Sequence, residues 1–148
     1  MTASNRNLMW HGMALFLLGM LTGLFEQKFA NVRMGLSAHL QGLMNGTFLI
    51  ALGAIWTEVK LARLAKPIAY AMALFGTYAN WLFTVLAAIW GTAANTPIAS
   101  AGHSGRRWQE ILVADGYLGV AISMIASTGL ILWGLAGALS KNSEGLNK

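Results

Sequence analysis

LSAHLQGLMNGTFLIALGAIW, residues Leu36–Trp56, decides the fold. A helix of about 20 apolar residues crosses the roughly 30 Å hydrocarbon core of a bilayer. This run carries no formal charge, yet it holds His39 and Asn45. Polar side chains at such depth are costly unless satisfied, so they mark candidate sites.

Three more apolar runs flank it, at about 8–25, 67–90 and 111–139, alongside 36–56. Each exceeds the roughly 18 residues expected of a transmembrane helix. Only 10% of the 148 residues are charged and 56% are hydrophobic. Soluble domains carry about 25% charge, so little polar surface is left for a soluble fold. The predicted fold class is all-α, an integral membrane bundle of four transmembrane helices forming one domain over 1–148.

The chain contains no cysteine, which excludes disulfides, thiolate metal sites and a cysteine nucleophile. No small-residue cleavage site follows the first run, and Glu26-Gln27-Lys28 comes directly after it, so that run is expected to be retained. The net charge of +5 lacks a basic stripe with interleaved aromatics, and no nucleic-acid partner is expected. Four spans put both termini on one side, with Arg6, Lys60, Arg63, Lys66, Lys141 and Lys148. Lys28, Arg33, Arg106 and Arg107 lie on the other. The bias points to cytoplasmic termini, and a bacterial-type cytoplasmic membrane is the expected location.

Pro67 suits the first turn of the third helix. The longest connector, GTAANTPIASAGHSGRRWQE (Gly91–Glu110), is of a length that is often functional or disordered. The tail after Leu139 is polar and expected to be loose. Gly19/Gly23 and Gly42/Gly46 form small-xxx-small pairs, which allow close helix approach in lipid. They also invite contacts between subunits. Trp10, Trp56, Trp90 and Trp108 fall near span ends, where tryptophans anchor at the interface.

His39 lies one turn into its span. A neutral imidazole there is either an iron or copper ligand or a structural donor to a facing carbonyl. Asn45, six residues on and about 240° round the helix, is either an interhelical bond or a pocket wall. In the third span Tyr70, Thr77, Asn80 and Thr84 form one helical stripe, flanked by Tyr78, and a polar stripe in lipid must turn inward. Asp115 is the one carboxylate inside the fourth apolar run. No Gly-rich phosphate loop, HExxH or nucleophile elbow occurs, so hydride and phosphoryl transfer are excluded as leading readings.

NVRMGLSAHLQGLMNGTFLIALGAIW, GTYANW and the GH...WQE loop resemble the hydroxylaminobenzene mutase family, from Leu8 to about Leu135. The resemblance implies an isomerase, an intramolecular transferase converting arylhydroxylamines to 2-aminophenols within nitroaromatic degradation. The chain is also remotely similar to styrene oxide isomerase, a trimeric four-helix membrane protein with haem b between subunits. That likeness rests on a histidine six residues before Asn-Gly, as His39 precedes Asn45-Gly46, on His11-Gly12, and on Asn80. It implies His39 as ligand of haem b iron, and a homo-oligomer, a trimer. The relative's pocket tyrosine four residues after that asparagine is Thr84 here, which suits a different substrate.

On this reading Asn45 and Asn80 orient the N–OH group. Tyr78, Thr84, Phe48 and Trp81 hold the substrate ring, and the substrate enters from membrane lipid. The alternatives are a haemless site using His39 or Asp115 as acid, an epoxide isomerase, a non-catalytic haem carrier or electron-transfer subunit, and a small transporter.

Overall fold

A computed structural model of the chain describes residues 2–146, with side chains described as far as residue 137. Four helices account for it: α1 (Ala3–Phe25), α2 (Val32–Ile55), α3 (Ala65–Trp90) and α4 (Arg107–Leu146). All four are long and apolar enough to cross a membrane.

All four helices begin earlier than the apolar runs, and at three of them a side-chain cap is the reason. Thr2 caps α1, accepting the Asn5 N–H on its hydroxyl oxygen at 3.4 Å. Asn5 is buried and donates to the Gly53 carbonyl at 2.9 Å, so a polar lead is drawn into the protein. Asn31 caps α2, accepting the Met34 N–H at 3.0 Å. At α4, Gln109 Oε1 reaches back to the Arg106 N–H at 2.7 Å, one half of a capping box. Pro67 sits in the first turn of α3 as expected, and Gly91 ends that helix with a left-handed φ of 69°. The stretch after Leu139, expected to be loose, continues as helix to Leu146. Its side chains, with Asn147 and Lys148, lie outside the described residues.

α1 and α2 run antiparallel at near backbone contact. A Cβ added to Gly12 would lie 2.7 Å from the Gly46 carbonyl oxygen, and one on Gly19 would lie 2.8 Å from the Gly42 carbonyl carbon. The glycine faces that invited subunit contacts are therefore consumed within one chain. Small residues let backbones approach and gain dispersion where lipid supplies no hydrophobic drive.

α3 packs on α2 and α4 on α3, whereas α1 and α4 make no contact among the described residues. The four helices thus follow one another in chain order, with the first and last at the margins. Leu8, Leu15, Leu49, Leu52, Ala69 and Ala73 form the apolar centre. Ser127 fastens α4 to α3 through the Ala69 carbonyl at 2.9 Å. Leu24, Phe75, Ile125 and Trp133 are exposed, the pattern of a lipid-facing exterior. Trp56 departs from the interfacial role expected of it. It is buried, with Lys66 Nζ 5.4 Å over its ring and Tyr70 at its edge.

Candidate functional site

The inward stripe of α3 meets α2 and α4 in a cavity of about 370 Å³. Its lining includes Gln41, Asn80, Thr84 and Tyr117, with Asn95 and Ala99 from the long connector. The register explains the composition. Gln41 and Asn45 are one turn apart on α2, and Asn80 and Thr84 are one turn apart on α3, so each helix offers two polar groups to the other.

The hydrogen bonds form a connected set. Asn80 Nδ2 donates to Gln41 Oε1 at 2.9 Å, and Asn45 Nδ2 donates to the Thr77 carbonyl at 3.3 Å. Asn45 Nδ2 also lies 3.5 Å from Gln41 Oε1. Thr84 Oγ1 donates to the Asn80 carbonyl at 2.7 Å, and the Tyr117 hydroxyl donates to Thr84 Oγ1 at 3.1 Å. Gln41 Nε2 and Asn80 Oδ1 have no hydrogen-bond partner among the described residues and stay available to a guest. The lining side chains carry no formal charge, so the cavity suits a small neutral molecule with both a donor and an acceptor.

The connector over this cavity is held from three sides. Asn31, buried, donates through Nδ2 to the Ala99 and Ser100 carbonyls at 2.9 and 3.1 Å. Asn95 Nδ2 donates to the Ala114 carbonyl at 3.4 Å. Glu110 accepts the Ala93 N–H on both oxygens at 3.0 Å, Ala94 at 2.9 Å and Gly105 at 2.7 Å. The segment expected to be functional or disordered is thus an ordered cover.

His39 occupies the other side of α2. Its Nδ1 lies 2.8 Å from the Gly19 carbonyl oxygen, which can only accept, so Nδ1 carries the proton and Nε2 presents its lone pair. The ring stands over Gly23, where an added Cβ would lie 2.6 Å from Nδ1. His39 does not line this cavity, and among the described residues its Nε2 has no partner and is not enclosed. No group of three His, Cys, Asp or Glu side chains fit to hold a metal ion occurs among the described residues. A single oriented imidazole does fit a porphyrin iron, whose other four ligands come from the macrocycle.

The residues singled out for one site therefore divide. Asn80 and Thr84 line the cavity, Asn45 is buried behind it on the Thr77 carbonyl, and His39 does not join them within the chain. Tyr78 turns to α1, its hydroxyl 3.2 Å from both His11 Nδ1 and the His11 carbonyl. Trp81 also turns there, donating through Nε1 to Thr22 Oγ1 at 3.1 Å. Phe48 packs against the apolar centre. None of the three lines the cavity. Tyr78 and Trp81 lie two residues and one residue from Asn80, steps that swing a side chain by about 200° or 100°, and Phe48 on α2 is taken up by the apolar centre. Asp115 and His103 are exposed. Gln41, Asn31 and Tyr117 were not foreseen. Gln41 was legible from its four-residue spacing to Asn45, and Asn31 from its place before the helix; Tyr117 is a lone polar residue in an apolar run.

An uncharged, hydrogen-bonding cavity among helices long and apolar enough to cross a membrane marks a small integral membrane protein with room for a neutral small molecule. Residues 4–136 match the styrene oxide isomerase family, and the chain belongs to it. It is 45% identical to hydroxylaminobenzene mutase HabB of Ectopseudomonas oleovorans over 93% of this chain and 85% of that protein. To hydroxylaminobenzene mutase HabA of the same organism it is 38% identical, over 84% of this chain and 93% of that one. No solved structure matches it.

Proposed function

We propose that this protein is a membrane isomerase converting arylhydroxylamines, hydroxylaminobenzene among them, to 2-aminophenols, within the breakdown of nitroaromatic compounds. One observation carries the reading. A chain 45% identical to a hydroxylaminobenzene mutase holds a cavity in which Gln41 Nε2 and Asn80 Oδ1 complement an N–OH. The N–O bond breaks, a C–O bond forms at the ortho ring carbon, and the displaced ring proton ends on nitrogen. Substrate and product are isomers, so no oxidant or reductant is consumed.

Asn80 Oδ1 accepts the substrate's N–H or O–H, and Gln41 Nε2 donates to the departing oxygen. Asn45 acts behind them, fixed on the Thr77 carbonyl and supporting Gln41. The anchored connector covers one side of the cavity and limits the access of water, which would otherwise capture the aryl cation, usually at the para carbon.

Haem b on His39 belongs to the same proposal. The Nδ1–H to Gly19 supports it by fixing the tautomer that a ligand histidine requires. Bound there, haem iron would supply a Lewis acid that polarises the leaving oxygen. Because His39 and the chamber lie on different sides of α2, His39 of one chain would serve the chamber of a neighbour. A cyclic trimer in a cytoplasmic-type membrane, with cytoplasmic termini, is the assembly we propose.

The test is purified protein, expressed with ample haem, incubated separately with phenylhydroxylamine and styrene oxide. 2-Aminophenol from the first is the expected product. Phenylacetaldehyde from the second alone would move the activity to that named by the family, and neither product would favour a haem carrier. A Soret band that His39→Ala abolishes is expected. Full turnover without such a band would remove haem from the reading and leave the isomerase in place.

A further inference from the structure

The direction of the hydrogen bonds around Thr84 fixes what Tyr117 offers a guest. Thr84 Oγ1 lies 2.7 Å from the Asn80 carbonyl oxygen, which can only accept, so the threonine proton goes there. Thr84 Oγ1 must then accept from the Tyr117 hydroxyl, 3.1 Å away. A phenol has one proton, and this one is committed. Tyr117 lines the chamber with its oxygen lone pairs as its remaining hydrogen-bonding capacity. Asn80 Oδ1, in the same lining, is likewise an acceptor. From the helices, these two acceptors stand beside one donor, Gln41 Nε2, with the Asn95 and Thr96 side chains of the connector completing the polar lining.

We infer that Tyr117 is a specificity-determining residue, a hydrogen-bond acceptor that selects substrates bearing an O–H or N–H donor. A hydroxylamine carries two such donors and an epoxide none. A site built to bond a donor rejects a guest lacking it, because the acceptor is then desolvated with nothing in exchange. The inference rests on the arylhydroxylamine reading and sharpens it to the group recognised: the substrate's exchangeable hydrogens.

Two ligands isosteric with phenylhydroxylamine separate this from catalysis. Benzyl alcohol carries an O–H donor and anisole carries none; neither has an N–O bond to rearrange. Their affinities are measured by equilibrium dialysis of the full chain in detergent, against protein-free micelles. The wild type binds benzyl alcohol more tightly, and Tyr117→Phe reduces the preference about tenfold, the worth of one buried hydrogen bond. An unchanged preference overturns the inference. Thr84→Val tests the polarity without touching Tyr117. It frees the phenol proton to donate, so anisole binding tightens several-fold; unchanged or weaker anisole binding overturns the inference. If Tyr117→Phe does not fold, Thr84→Val decides alone. Failure to turn over phenylhydroxylamine would defeat the isomerase proposal while leaving the binding preference to judge Tyr117.

Discussion

The two sides of α2 solve opposite problems. Toward α1 it presents glycines, and backbone meets backbone with no room for a methyl group. Toward α3 and α4 it presents Gln41 and Asn45, and a cavity of about 370 Å³ is left. Close contact on one side makes α1 and α2 a stiff unit. That unit holds the polar groups of the other side steady, although few atoms fill the space before them. Rigid support beside an unfilled volume is what preorganised binding requires.

The comparison can be broken most severely at its stiff side. Gly42→Leu would drive a branched side chain into the Gly19 backbone, and loss of folded protein in size-exclusion chromatography is expected. Gly42→Ala must push the two backbones apart, so a cost of about 3 kcal/mol or more is expected, read as a lowered Tm. On the open side the signature is reversed. Asn80→Leu should cut kcat/KM for phenylhydroxylamine about 100-fold, the scale of losing one preorganised polar contact, with little change in Tm. Equal damage to stability and activity there would make Asn80 a structural tie. Glu110→Gln retains one acceptor oxygen and loosens the cover, so a KM raised roughly fivefold at similar kcat is expected. Asp115→Asn, on an exposed side chain, should alter kcat/KM by less than about twofold; a large loss would revive a carboxylic acid in the chemistry.

The four helices were legible because lipid demands long apolar runs, and run length survives without any tertiary information. Their starts were not, since Asn5 and Asn31 are polar residues buried against distant carbonyls, Gly53 and Ala99. Asn80 and Thr84 of the α3 stripe face α2 and α4, as a polar face that must avoid lipid is expected to. Tyr78 and Trp81 flank that stripe, and which side of it a flanking residue joins depends on where α1 lies. His39 and Asn45 share a helix, but only the packing of two different neighbours showed that they serve different faces. The glycine pairs announced close packing without naming the partner, and the partner is within the chain.

Glu110 draws Ala93, Ala94 and Gly105 to one carboxylate and so closes the neck of the connector. Secreted proteins often cinch such a hoop with a disulfide, but this chain has no sulfur to spare for one. A knot of backbone amides around an anion is indifferent to glutathione and to oxygen alike. The lid over the chamber can therefore keep the same shape in a reducing or an oxidising compartment, whichever side of the bilayer it occupies.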